Sequence, residues 1–156
     1  MVIDFVGSMY ASSLFLARYP EEWKISLEDE TKFLKTTVEA TDRIMLGAFA
    51  DGKLVGLTDC LPVSANQKIH HRGQCAISVA SSFAHKGLGS LIFGLMLEQA
   101  KLAGFEQVEL EVVASNVWAI RLYEKYGFVR IGIIPHGFKY KDGSYQDLVI
   151  MVCNLS

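Results

Sequence analysis

Between residues 71 and 113 the chain reads strand, helix, strand, and this order constrains the fold more than any other feature. HRGQCAISV (71–79) places Gly73, Cys75, Ile77 and Val79 on one face of a strand. A helix from Leu88 to about Ala103 follows, with Leu88, Leu91, Ile92, Leu95 and Leu102 on a broad apolar face. EQVELEVV (106–113) alternates Val108, Leu110 and Val112 against Gln107, Glu109 and Glu111. Two strands of one sheet joined through a helix run parallel. The other strand links are tight: Asp51-Gly52 separates RIMLGAFA from KLVGLTDCL, and Asp142-Gly143 precedes a last strand near 145–153. The expected fold is an α/β mixed sheet, mostly antiparallel, with one central parallel pair and helices on both faces. At 156 residues it forms one domain, spanning 1–156.

Two further helices complete the order. SLEDETKFLKTTVEA (26–40) opens on Ser26 as N-cap, has acids in its first turn, and carries Leu27, Phe33, Leu34 and Val38 as its apolar stripe. A shorter helix runs from about Asn116 to Tyr126 and stops at Gly127, before the strand FVRIGII. The apolar opening MVIDFVGSMYASSLFLARY lacks a basic first segment and is interrupted by Asp4, so it reads as mature sequence.

Several function classes lose support at once. A net charge of −2 gives no broad basic surface for nucleic acid. No run approaches the roughly 20 apolar residues of a membrane helix. Cys60, Cys75 and Cys153 are odd in number and far apart, and the four histidines do not cluster, so neither a disulfide frame nor a metal site is expected. Reduced thiols suit a cytoplasmic protein.

Gly87 and Gly89 stand where the central helix begins. A helix start offers unpaired N–H groups and a partial positive charge, and glycine removes the Cβ atoms that would hold an anion away. A tight strand-to-helix turn without a ligand would use the same residues. AHKGLGS does not match the P-loop, because Lys86 precedes the glycines, and the spacing is not that of a GxGxxG dinucleotide fingerprint.

AISVASSFAHKGLGS and LEVVASNVWAIRLYEKYGF together resemble the two cofactor-binding segments of the Gcn5-related N-acetyltransferases, the GNAT superfamily. The second segment's positions are Asn116, Ala119, Leu122, Tyr123, Gly127 and Phe128. The closing DGSYQDLVIMV is similar to a branch that modifies small amines, amino acids or peptide N-termini. The likeness covers roughly residues 43 to 153. It implies acetyl-CoA as co-substrate, no metal, and a primary amine of a small molecule or peptide as acceptor. The pyrophosphate would rest on His85, Lys86, Gly87, Leu88, Gly89 and Ser90, with Asn116 also contacting the cofactor. The pantetheine arm would pair with the backbone of Ile77 and Val79, with the Val79 N–H polarising the carbonyl. Tyr123 would be the acid that protonates the leaving thiolate.

Two departures keep a second reading open, that of an acyl-CoA-binding sensor or interaction module without turnover. Ala84 stands where the family has Gln or Arg, and only 25 residues precede the 26–40 helix, where relatives carry an edge strand and a first helix. Residues 2–6, VIDFV, are the only candidate for that opening strand. The apolar 1–16 segment would also serve a homodimer. No general base stands out: His71, Glu109 and Glu111 are candidates, each equally at home as an ordinary polar strand residue.

Overall fold

The computed structural model describes all 156 residues. In chain order the elements are α1 (Val2–Ser12), α2 (Leu27–Glu39), β1 (Ile44–Ala50), β2 (Lys53–Pro62), β3 (Arg72–Val79), α3 (Leu88–Leu102), β4 (Gln107–Val113), α4 (Val117–Lys125), β5 (Val129–Lys139) and β6 (Tyr145–Asn154). Short 3₁₀ turns at Pro20–Glu22 and Ser81–Phe83 lead into α2 and α3. The six strands form one sheet in the order β1-β2-β3-β4-β6-β5, antiparallel except where β3 meets β4.

Turn chemistry sets the register. Asp51 and Gly52 both take positive φ, 48° and 74°, as the β1–β2 hairpin requires. Gly104 and Gly127 take φ of 96° and 87° just past α3 and α4 and end those helices. β3 and β4 pair only over Arg72–Gln74 and Gln107–Glu109, so beyond Gln74 the two strands separate. That separation is the feature around which the site is built.

The core lies between the sheet and the helices α3 and α4. Phe93, Met96, Leu97 and Ala100 of α3 and Ile120 and Tyr123 of α4 pack on Cys60, Cys75, Val108, Leu110, Val112, Val149, Met151 and Cys153. Gly56 of β2 lets α3 approach: a Cβ there would lie 3.0 Å from Ile92.

Three expectations change. Residues 2–6 are helical, not an edge strand, and the first strand is Ile44–Ala50. In α2 the inward face is Glu30, Leu34 and Thr37, while Leu27, Phe33 and Val38 are exposed. The Thr37 hydroxyl is satisfied within the helix by donating to the Phe33 carbonyl, so burying it costs little. In α3 the buried residues are Ile92, Phe93, Met96, Leu97 and Ala100, whereas Leu91, Leu95 and Leu102 face outward. A helix apolar nearly all round offers several stripes of the right period, and contact with the sheet selects one.

Candidate active site

At the mouth of α3, six consecutive backbone N–H groups, those of residues 85–90, donate to no protein acceptor. His85 and Gly87 adopt positive φ, 57° and 86°, which turns this run of amides around one concavity. A Cβ on Gly87 would meet nothing within 4 Å, and one on Gly89 would make only ordinary contacts with Val79 at 3.5 Å and Ile77 at 3.8 Å. The packing of the protein therefore does not require glycine at position 89. Gly87, by contrast, borders open space, and Gly89 lines the cavity beside it.

A cavity of about 460 Å³ adjoins these amides, lined by Val79, His85, Gly87, Gly89 and Ser90 on one side and by α4 on the other. The Trp118 and His85 rings pack at 4.4 Å with their planes tilted by 53°, and Arg121 lies 5.7 Å from the Trp118 ring centre. The Lys125 ammonium donates to the Ser90 hydroxyl at 2.6 Å. Neither Arg121 nor Lys125 has a carboxylate partner. Ala84 cannot supply a cation, but α4 presents two from across the cavity. An i, i+4 pair on a predicted helix is a sequence signal that could have revealed them. Lys86 points instead over the Phe83 ring, 5.8 Å from its centre, and neither Lys86 nor Leu88 lines the cavity. The donor set fits a diphosphate: amides at a helix start, flanked by unpaired cations.

The strand leading to this mouth exposes backbone of its own. The Ala80 N–H bonds to Val55 of β2, so alternation along the antiparallel pair turns Ile77 and Val79 the other way, toward β4. There the parallel ladder has already ended at Gln74, and the polar groups of both residues face the gap.

Tyr123 of α4 lies in the core behind this region. It is 7% exposed, packed against Phe93 and Phe128 at 5.3 and 5.8 Å. Burial, reinforced by nearby Cys75, pushes its phenol well above the ordinary tyrosine range, so it stays protonated. Its hydroxyl makes no hydrogen bond to protein and is not fully sealed from solvent, and Tyr123 does not itself line the cavity at the mouth of α3. Asn116 caps α4, its Oδ1 accepting from the Ala119 N–H at 3.3 Å.

The opposite face of the sheet holds a group that sequence reasoning missed. Asp59 of β2 stands directly opposite Ala76 of β3 and lines a pocket of about 430 Å³ with Leu61, Gln74, Ala76 and Glu111. Burial pushes its carboxyl up to about 6, a backbone hydrogen bond from Ala76 partly opposing the shift. The two neighbouring acids separate: Glu109 is held by Arg72 in a two-pronged ion pair at 2.7–2.9 Å, whereas Glu111 is unpaired and faces Asp59's pocket. His71 lies before the start of β3, about 26 Å by strand rise from Val79, and takes no part.

Comparison with known proteins bears on the family and the fold. The family model described as Acetyltransferase (GNAT) family matches residues 9–128. N-alpha-acetyltransferase 30 of Dictyostelium discoideum is 32% identical over 85 residues, covering 54% of this chain and 45% of that protein. The [ribosomal protein bS18]-alanine N-acetyltransferase of Haemophilus influenzae is 33% identical over 79 residues, covering 51% and 53%. The matched stretch thus spans about half the length of these curated relatives. Among solved structures, the GNAT-family acetyltransferase of Streptococcus pneumoniae superposes with a TM-score of 0.93 at 24% identity, over 99% of this chain and 92% of that one.

Proposed function

The chain belongs to the GNAT acetyltransferase family, and from that premise we propose that it transfers an acetyl group from acetyl-CoA to a primary amine of a small molecule or peptide. The observation that carries the reading is the unbroken run of free amides at residues 85–90, opening on the gap between β3 and β4. When bound, acetyl-CoA would supply a thioester carbonyl for the amine to attack: an N–C bond forms, the C–S bond breaks, and the sulfur keeps the electron pair.

The residues divide the remaining work. The amides of 85–90, with Arg121 and Lys125 across the cavity, hold the diphosphate, and Gly87 and Gly89 permit close approach. Asn116 sits at the start of α4, where it keeps that helix against the cofactor. The backbone of Ile77 and Val79 pairs with the pantetheine arm. The family resemblance implies the polarising N–H is that of Val79. Position along the strand favours Ile77 for that role, because it adjoins Ala76 in the acidic pocket, with Val79 taking the next contact up the arm. Tyr123 protonates the leaving sulfur from the α4 side of the sheet. The amine enters beside Glu111 as an ammonium and attacks only after losing one proton to water; Asp59, from the other side, takes up the second proton, which the nitrogen sheds as the N–C bond forms. Opposite faces thus carry acid and base, with the strand gap between them.

A thiol-release assay with acetyl-CoA and a panel of amines tests the reading. Turnover that depends on amine and drops at least about 100-fold in Tyr123→Phe, with coenzyme A affinity kept, supports it. Tight coenzyme A binding with no turnover on any amine replaces the enzyme by the binding-module reading.

A further inference from the structure

The start of α3 and the end of α4 are tied together through one residue, Ser90. The Lys125 ammonium donates to the Ser90 hydroxyl at 2.6 Å. The hydroxyl of Tyr126, the residue that ends α4, donates to the Ser90 carbonyl. The Ser90 and Tyr126 hydroxyls also lie 3.1 Å apart. The other side-chain hydrogen bonds and ion pairs of α4 stay within it or run to β5, so nothing else of this kind holds the two helices to each other.

The chain keeps room for this tie. A glycine inside a helix costs about 1 kcal/mol against alanine, yet α3 carries Gly94 one turn after Ser90. A Cβ there would lie 2.7 Å from the Tyr126 hydroxyl oxygen, and 3.0 and 3.1 Å from two of its ring carbons. The space left at Gly94 is therefore the space that the Tyr126 side chain needs to reach Ser90. Its ring sits edge-on against the fully buried Phe93 at 5.6 Å. Gly127, with a φ of 87°, turns the chain directly afterwards and sends Phe128 into the core.

Ser90 and Lys125 both line the cavity at the mouth of α3, and Tyr126 does not, so any effect of Tyr126 on a ligand there passes through them. A lysine side chain is flexible, and holding it in one place before a ligand arrives removes part of the entropy cost of binding. Here the ammonium is fixed between the Ser90 hydroxyl and the Tyr126 ring, 5.6 Å from its centre. Because Ser90 accepts from Lys125, its own hydroxyl proton is left to donate, either to the Tyr126 oxygen or to a phosphate oxygen in the cavity. We propose that Tyr126 is a positioning residue for the cofactor: it locks the end of α4 to the start of α3, sets the width of the cavity between them, and keeps Lys125 and the Ser90 hydroxyl aimed at one anionic group. The inference rests on the diphosphate site proposed above.

The test is a double-mutant cycle on coenzyme A affinity, read by calorimetry on the full chain as parent, Tyr126→Phe, Lys125→Met and both together. Tyr126→Phe keeps the ring against Phe93 and removes only the hydroxyl. Each single change should weaken binding about tenfold, and the double variant should bind at least about fivefold more tightly than the product of the two losses. Gly94→Ala, which pushes the same hydroxyl off Ser90 without removing it, should also weaken binding. In the thiol-release assay the loss in Tyr126→Phe should appear in KM for acetyl-CoA with kcat kept, and should be absent with S-acetylpantetheine, which carries neither phosphate. Losses that multiply, unchanged affinity in Tyr126→Phe or Gly94→Ala, or an equal loss with S-acetylpantetheine would each make Tyr126 an ordinary packing residue and overturn the inference, leaving the transferase reading in place. A parent that binds no coenzyme A overturns both.

Discussion

Asp59 is the carboxylate that burial pushes up, to about 6 from an ordinary value of 3.8. Its native form binds a proton more tightly than its unfolded form, so stability falls as pH rises from about 4 to about 6 and stays reduced above that. Asp59→Asn removes this cost. Relative to the parent it should gain on the order of 1–3 kcal/mol at pH 7.5 and little at pH 4, read from denaturant melts at the two values. The same variant should slow acetyl transfer, and the parent's rate should climb through pH 6 as Asp59 ionises. A variant that loses stability at pH 7.5 would show the carboxylate to be structural. Tyr123 gives the complementary case. Its hydroxyl has no protein partner to lose, so Tyr123→Phe should change stability by less than about 1 kcal/mol while removing the acid. A melt of the variant beside its rate checks both halves. The raised phenol keeps its proton in place at neutral pH until negative charge develops on the departing sulfur.

At the scale of elements, α3 shows what the sequence could and could not tell. Its start was legible because Gly87 and Gly89 are local signals; Gly87 stands in open space, and at Gly89 a Cβ would make only ordinary contacts. Gly94 looks alike in sequence but serves packing: a Cβ there would lie 2.7 Å from the Tyr126 hydroxyl. The two should separate in experiment. Gly89→Ala should stabilise the fold by up to about 1 kcal/mol through helix propensity and weaken coenzyme A binding. Gly94→Ala should cost about 1–3 kcal/mol by overpacking, so the sign of the stability change tells them apart. Thermal melts and coenzyme A titrations of both variants check the pair. The strand order, the parallel pair and the turns were readable because each rests on short-range chemistry. The inward faces of α2 and α3 were not, since either helix offers apolar residues on more than one side and only the sheet chooses. α1 lies within an apolar opening whose short run VIDFV suits a strand as well as a helix, and the fold makes it helical. Asp59 was invisible for a related reason: its burial comes from β3 and β4, which the sequence around it does not mention.

The molecule as a whole separates its charges. A chain of net charge −2 places two carboxylates on one face of the strand gap and two unpaired cations, Arg121 and Lys125, at the hollow beside α3. No helix is long and apolar enough to cross a membrane. Every functional assignment depends on a diphosphate-bearing thioester entering between α3 and α4 with its arm in the gap that β3 and β4 leave open. The most direct measurement is a coenzyme A titration of the isotopically labelled full chain, followed through its backbone amides. The account predicts saturable shifts at residues 77, 79 and 85–90 and at the start of α4, with the β1–β2 hairpin silent. Saturable binding that leaves the 85–90 amides unmoved, or no binding at millimolar coenzyme A, would contradict it.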